Sequence, residues 1–351
     1  MRKTILCGIT LAALASSSAL ANWQDEERVA QQQAIAQEAI EHAEIQTSMM
    51  ESKVKLFGFA QFRWMYDNIS PTGTRQGFDV RKAVIGVEGE LAEDWSFVLS
   101  GEWVPDSSFE LRDAYVDGKI DSFGLRAGRF RTAFMQEVLV NEPQLLGNDY
   151  SLIAYTFGQG RSEGIQLSRE FGDFDFKFAY SNGFETPNVD PFDTDTWGLV
   201  GRVDWDLDPR MNLGAAIAYN SISSGGQSLS WTVDGRMTFT DNIAAYVSYT
   251  GRSDDVNGDG WGVLGQVGYI LDAQNVAFVQ YQGGEFTGNG DMLSILSLGL
   301  NHYFASNVRW TNEIGYSFNG IDSNWVTDQT GWSNTSRDGQ VLFTTQMTIS
   351  F

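Results

Sequence analysis

An all-β fold, a 16-stranded antiparallel transmembrane β-barrel preceded by a short N-terminal helix, is predicted by three features of this 351-residue sequence. Apolar residues recur at every second position in segments of about ten, as lipid-facing residues do on a membrane strand. After residue 21, no apolar block approaches the roughly 20 residues that a spanning helix needs. Connections alternate between tight turns and longer, irregular loops, a pattern that barrels crossing an outer membrane show and soluble sandwiches have no reason to show.

The order of elements starts with Arg2 and Lys3 before an apolar run from Ile5 to Leu14, and Ala19, Leu20 and Ala21 form a small-residue cleavage site. Residues 1–21 therefore read as a secretory signal peptide. Residues 22–52 are rich in Gln, Glu and Ala, contain neither Gly nor Pro, and read as a periplasmic helix. Val29, Gln33, Ala36, Ile40, Ala43, Thr47 and Met50 follow a three-four spacing, which suits either a coiled-coil stalk or a solvated helix. The remainder, 53–351, is the barrel. Its strands are expected at 54–68, 78–91, 95–104, 109–118, 123–131, 162–170, 174–183, 196–205, 211–221, 228–239, 243–252, 259–270, 276–284, 291–304, 308–318 and 338–351.

Several checks support this map. Proline has no N–H for a ladder, and all six prolines, Pro71, Pro105, Pro143, Pro187, Pro191 and Pro209, fall in connections. Trp95, Trp205 and Trp310 lie near the tight-turn ends, whereas Trp64, Trp103, Trp197 and Trp261 lie near the loop ends, as two aromatic girdles require. From Val341 the outward set runs Phe343, Thr345, Met347, Ile349 and Phe351, and it resembles the terminal signal read by outer-membrane assembly machinery. Hydrocarbon offers no hydrogen-bond partners, so the sheet must close, and sixteen strands enclose a water-filled hole. A bacterial outer membrane, with its lipid and lipopolysaccharide, is the implied setting.

The parity opposite the apolar one faces that hole and includes Arg63, Lys82, Glu102, Asp113, Lys177, Arg202, Asp234, Gln280, Gln282, Arg309 and Glu313. Selectivity depends on which charges stand at the narrowest place. The connection 132–161 is the candidate constriction, because long structureless stretches in compact proteins are usually functional. Folded inward, it brings Asn141, Glu142, Asn148, Asp149, Tyr150 and Tyr155 opposite Arg129, Arg131 and Arg161. The alternative is an ordinary surface loop.

FDVRKAVIGVEGEL (78–91), ELRDAYVDG (110–118), GRFRTAF (128–134) and GRSEGIQL (160–167) together resemble the phosphate-selective porin family of O and P type. The resemblance is close from the second to the seventh strand and architectural after that. It implies a homotrimer of sixteen-stranded barrels passing small solutes or ions, phosphate among them. It also implies a constriction where basic side chains strip water from an anion, with Arg129, Arg131 and Arg161 at the family's basic positions. Two departures bear on the solute: Ala133 stands where the family commonly has proline, and the mature chain is strongly acidic.

Composition narrows the remaining chemistry. Of 23 Lys and Arg and 45 Asp and Glu, cleavage removes Arg2 and Lys3, so the mature charge is 21 − 45 = −24 and nucleic acid is not an expected partner. Cys7 leaves with the signal, which excludes thiol and disulfide chemistry. No cofactor, metal or catalytic residue is expected. His42 lies in the helical segment, and His302 falls on the outward parity, where a girdle residue outweighs a barrel phospholipase. DVNGDG (255–260) starts like a calcium loop but has Gln266 at its twelfth position. It and Asp190, Asp193 and Asp195 read as solvated outer loops that could meet lipopolysaccharide through divalent cations. A non-conducting tether or adhesin remains the alternative to a porin.

Overall fold

The structure is a computed structural model that describes residues 54–70, 73–103, 109–158, 160–183, 196–221, 226–288, 292–327 and 330–351. The signal peptide, the 22–52 helix, Pro71, Pro105, Pro187, Pro191 and the Asp190 cluster lie outside the described residues.

Sixteen strands are formed among the described residues: β1 (Lys55–Ser70), β2 (Gly73–Ala92), β3 (Trp95–Trp103), β4 (Glu110–Ile120), β5 (Phe123–Arg131), β6 (Arg161–Phe171), β7 (Phe174–Ser181) and β8 (Trp197–Asp208), followed by β9 (Met211–Ser221), β10 (Gln227–Thr240), β11 (Ile243–Asp254), β12 (Gly260–Ile270), β13 (Asn275–Phe286), β14 (Leu293–Ala305), β15 (Val308–Ser317) and β16 (Gln340–Ser350). Each pairs antiparallel with its sequence neighbours, and β1 pairs with β16 to close the barrel. Closure satisfies every interior ladder, which hydrocarbon demands because an unpaired backbone group there costs several kcal/mol. Among the described residues no helix is long and apolar enough to cross a membrane.

The sequence expectation for β5 and β9 coincides with the structure, and most other bounds shift by a few residues. The largest shift is in β2, which begins at Gly73 rather than at 78. Residues 73–77 are exposed, so no apolar alternation marks them. Tight turns connect alternate strand pairs. Asp94 (φ 64°) and Asp121 (φ 54°) adopt the left-handed conformation that Asp tolerates in such turns, and Gly172 (φ 60°) does the same. Pro209 occupies the turn between β8 and β9, and Pro143 a 3₁₀ turn within the longest described connection.

The outward face carries the expected apolar belt, including Phe176, Phe178, Ile217, Val233, Val247, Leu298 and Ile314, all exposed. Two aromatic bands flank it. At the tight-turn end Trp205 stacks on Phe174 at 5.5 Å; at the loop end Trp103 meets Phe109 at 4.3 Å and Trp197 meets Tyr219 at 5.2 Å. In β16, Gln340, Leu342, Thr344, Gln346 and Thr348 are buried toward the lumen, and the Val341 to Phe351 parity faces outward.

Two register shifts among the described residues lie inside strands, away from the turns, and break the alternation. Gln61 pairs with Lys82 but Phe62 pairs with Val80, which leaves Arg81 as an extra residue in β2. Ser100 pairs with Asp113 but Gly101 pairs with Leu111, which makes Arg112 the extra residue in β4. A bulge breaks the ladder locally, leaves its extra residue unpaired and re-aims that side chain. Here both extra residues turn inward, with Arg81 and Arg112 at 1% and 4% exposure.

The interior corrects one expectation, that of an open polar hole throughout. Val200, Ala216, Ala218, Leu264, Leu293 and Ile295 face inward, where they pack against Phe134, Met135, Val138, Leu152, Ile153 and Phe157 of the connection after β5. Small and aliphatic residues on the inward parity of β8 to β14 make a dry wall for that connection to rest on.

Candidate pore constriction

The connection 132–160 folds into the barrel instead of lying on its surface. It contains α1 (Gln136–Leu139), the 3₁₀ turn Glu142–Gln144 and α2 (Leu152–Phe157). Ser151 caps α2, its Oγ accepting from Ala154 N at 3.0 Å. Glu137 binds the cap in turn, accepting from Ser151 N at 2.8 Å and Ser151 Oγ at 2.7 Å. Burial raises the Glu137 pKa to about 7 against the lowering effect of these two bonds.

One side of the loop is moored to the far wall through its backbone. Arg202 donates to Phe134 O, Arg309 to Leu145 O, Asn301 to Leu146 O and Gln346 to Asn148 O. In the opposite sense, Gln136 N donates to Asp234, Asn148 N to Glu313 and Leu152 N to Gln282. Beyond these, Trp325 of the connection 318–339 packs on Phe157 and Phe286, and Val326 N donates to Thr156 Oγ1. That connection therefore covers the inner loop from the outer side.

The other side of the loop meets a basic wall. Glu142, 2% exposed, receives Arg112 Nη2 at 2.5 Å and Lys82 Nζ at 3.3 Å, with Arg131 at 3.9 Å. Burial opposes ionisation of Glu142, but Arg112, Lys82 and Arg131 overcome it and hold its carboxyl well below the usual range. Asp149 receives Arg81 Nε at 2.6 Å and a hydrogen bond from Tyr155 Oη at 2.6 Å, with Arg63 at 3.9 Å. Arg81 Nη2 also bonds Tyr155 Oη at 2.7 Å. Tyr150 Oη accepts from Arg131 Nη1 at 2.6 Å and donates to Val140 O at 2.7 Å, and Arg131 also bonds Val138 O. Behind this layer, Glu102 pairs with Lys82 (3.3 Å) and Arg112 (2.7 Å), Asp113 with Arg161 (2.8 Å), and Asp79 with Arg63 (2.8 Å).

Of the residues singled out in the sequence, Arg63, Lys82, Glu102, Asp113, Arg131, Glu142, Asp149, Tyr150 and Arg161 are brought into one network. Arg161 pairs with the wall residue Asp113 rather than with the loop. Arg129 departs from its expected place. It pairs across the ladder with Glu163, at 2.7 Å, on the parity of Ile165 and Leu167, which are exposed outward. The GRFR motif therefore sends Arg129 out, while Arg131 reaches the loop because the ladder ends there and parity no longer sets its direction.

Strict alternation missed Arg81 and Arg112, although the sequence carries a signal for both. Arg81–Lys82 and Arg112–Asp113 are adjacent charged pairs inside membrane strands. Without a bulge one member of each would face lipid, at a cost of about 2–4 kcal/mol for a cation at mid-bilayer.

Other candidates are otherwise engaged. His302 Nδ1 lies 2.9 Å from Asn275 Oδ1 and its ring packs on Phe304, as suits a girdle residue. The Asp254 carboxylate accepts from Val256 N and Asn257 N, and Asp259 from Asp254 N and Ser253 Oγ, so this loop uses its oxygens on itself. Among the described residues no group of three or more His, Cys, Asp or Glu is placed to hold a metal ion.

Known proteins share this architecture. The anion-selective porin from Comamonas acidovorans superposes with a TM-score of 0.68 at 15% identity, covering 86% of this chain and 100% of its own. OmpF of Salmonella typhi, in complex with daunomycin, gives 0.65 at 14% identity over 86% of this chain and 98% of its own. The trimer form of OmpT from Vibrio cholerae gives 0.63 at 14% identity over 86% and 99%. At such identities the likeness is one of fold. No curated protein matches the chain. The family that does match, over residues 8–322, is described as Gram-negative porin, a general porin family and not the phosphate-selective one expected from the sequence motifs. With a closed sixteen-stranded barrel, an inward-folded loop and this match over most of its length, the chain belongs to the Gram-negative porin family.

Proposed function

We propose that this barrel gives passive diffusion of small hydrophilic solutes and ions across the outer membrane, with small anions, phosphate among them, favoured at the constriction. The carrying observation is the charge-segregated loop mooring: Arg63, Arg81, Lys82, Arg112 and Arg131 line the wall, while Glu142 and Asp149 stand on the loop facing it. Opposed rows of fixed charge orient a polar solute and concentrate counter-ions where the passage narrows. Because each basic group has an acidic partner, the preference for anions is modest and phosphate is one passenger among several.

The barrel works as a homotrimer, with lipid and lipopolysaccharide around it and the tight turns, N-terminal helix and C-terminus on the periplasmic side. Planar-bilayer recording of purified protein tests the reading: ohmic conductance with a reversal potential of anion-preferring sign in a KCl gradient is expected. A folded protein that conducts nothing would instead favour a tether, a reading that the apolar packing of the loop against β8 to β14 supports.

A further inference from the structure

The outward face of the barrel is not evenly filled. Between β6 and β10 it holds an open groove of about 730 Å³. Phe176 and Phe178 of β7 border it on one side and Ile217 and Trp231 on the other, with Gly201, Val203 and Ala215 as the floor between them. The ladder fixes this arrangement: Phe178, Gly201 and Ile217 stand in one row across β7, β8 and β9, and Phe176, Val203 and Ala215 in the next. A Cβ on Gly201 would meet no heavy atom within 4 Å, so the space over the floor is open.

One charge reaches the groove from the outward parity. Arg169 of β6 pairs with Phe176 across the ladder and shares its face with Ile165 and Leu167, both exposed. Its guanidinium rests over the Phe123 ring, 4.9 Å from the centroid, and has no ion-pair or hydrogen-bond partner among the described residues. The N–H edges of the fork are therefore unspent. Arg169 stands three positions before Gly172 of a tight turn, beside the aromatic band of that end. Lys177 and Arg202, which also border the groove, are spent on Asp204 inside the barrel, and no acidic residue lines it among the described residues.

Shape and charge select the occupant. From β6 to β10 the floor spans four strand spacings of about 4.8 Å, or about 19 Å, room for one acyl chain, which reaches across half of the roughly 30 Å hydrocarbon core. An apolar channel that ends on an unneutralised guanidinium fits a chain carrying an anionic head, and the planar fork meets phosphate oxygens in pairs. With no carboxylate nearby, an ammonium head finds no partner, so an anionic glycerophospholipid fits better than a zwitterionic one. Lipopolysaccharide would bring its phosphates to the loop end, away from Arg169.

We propose that this groove binds an anionic glycerophospholipid of the inner leaflet, with one acyl chain over Gly201 and Ala215 and the phosphate on Arg169. The choice of leaflet rests on the orientation of the porin reading, tight turns toward the periplasm; the groove and its charge do not. The same strands carry Val200, Ala216 and Ala218 inward against the loop, so the lipid backs the wall on which that loop rests. A ligand bound only by the folded state stabilises it by mass action.

The test is native mass spectrometry of the full-length protein released from mild detergent, with phosphatidylglycerol or phosphatidylethanolamine of matched acyl chains added. The wild type retains phosphatidylglycerol as a discrete adduct, about tenfold more than phosphatidylethanolamine, the factor expected of one charge-assisted contact. Arg169→Gln, on the surface, removes the preference between the two lipids. Gly201→Leu fills the floor and loses the adduct, and Ala215→Leu does the same if Gly201→Leu folds poorly. Equal retention of both lipids by the wild type, the result of unselective lipid contact, would overturn the proposal, as would a preference that survives Arg169→Gln. Unchanged retention in the filled-groove variants would overturn it too. So would a loss of oligomer mass in those variants with lipid still bound, which would assign the groove to a second copy of the chain. The measurement needs neither conductance nor a bilayer, so its failure is separate from failure of the porin reading.

Discussion

The two walls that hold the inner loop do so by different physics. On the side of β1 to β5 the contacts are ionic: Arg63, Arg81, Lys82, Arg112 and Arg131 meet Glu142, Asp149 and Tyr150. On the side of β8 to β14 they are apolar and backbone-directed, with α1 and α2 resting on Val200, Ala218, Leu264, Leu293 and Ile295. Ionic contacts tolerate water and leave a charged face beside the passage; apolar contacts exclude water and close their half of the lumen. On the proposed function, the asymmetry would give anchoring to one wall and solute discrimination to the other.

That division fails first if far-wall substitutions change selectivity. Phe157→Ala, at a position 2% exposed between Phe286 and Trp325, removes the central aromatic contact, a loss of about 3–5 kcal/mol for such truncations. Hydrogen exchange of the Leu152–Phe157 amides should accelerate at least about 100-fold, since 1.4 kcal/mol is tenfold. The sign of the reversal potential should not change, and unaltered exchange would refute the anchoring role.

Glu142→Gln sharpens the other half of the comparison. It removes the charge that Arg112 and Lys82 share, weakening charge-assisted hydrogen bonds worth roughly 1.5–3 kcal/mol each in exchange for weaker neutral ones. The reversal potential should move toward anions while the loop stays docked, which bilayer recording in a salt gradient measures. A shift toward cations would contradict the proposed arrangement.

The smallest effect concerns Glu137, which sits where the two kinds of contact meet. Its carboxyl is bonded to Ser151 on α2, while Asp234 and Arg202 stand on the adjoining wall at Gln136. A carboxyl whose folded pKa is raised favours the folded loop while it carries its proton. The stabilisation is complete below its ordinary value of 4.5 and is lost as pH rises through about 7. Loop exchange should therefore speed up between pH 5 and pH 8, and Glu137→Gln should remove that part of the pH dependence. An equal pH response in the variant would place its origin elsewhere.

Much of the fold and part of the site were legible in advance. The β9 bounds, the closing β16 with its outward Phe343 and Ile349, and Pro209 in its turn all follow from period-two patterning and from proline's missing N–H. Lys82, Glu142 and Asp149 were legible as interior groups because a charge inside a membrane strand or a long inner connection has few other places to go. Arg129 was misplaced because a motif position says nothing about which face a residue takes. Arg81 and Arg112 were missed because a rule that counts in twos cannot register one inserted residue. The inward apolar set Leu264, Leu293 and Ile295 was not legible, since an aliphatic side chain does not reveal whether lipid or a returning loop covers it.

Taken by itself, the sequence determined that the chain must be a closed antiparallel barrel, because alternating apolar positions in hydrocarbon leave no other way to satisfy the backbone. It determined which charges were available to the interior as well. The tertiary structure decided where those charges point and what fills the hole. Two bulges turned Arg81 and Arg112 inward, and the 132–160 connection crossed the lumen because a basic wall on one side and a dry wall on the other both offer its residues partners. Local periodicity carries the first kind of information, and only the meeting of residues far apart in the chain carries the second.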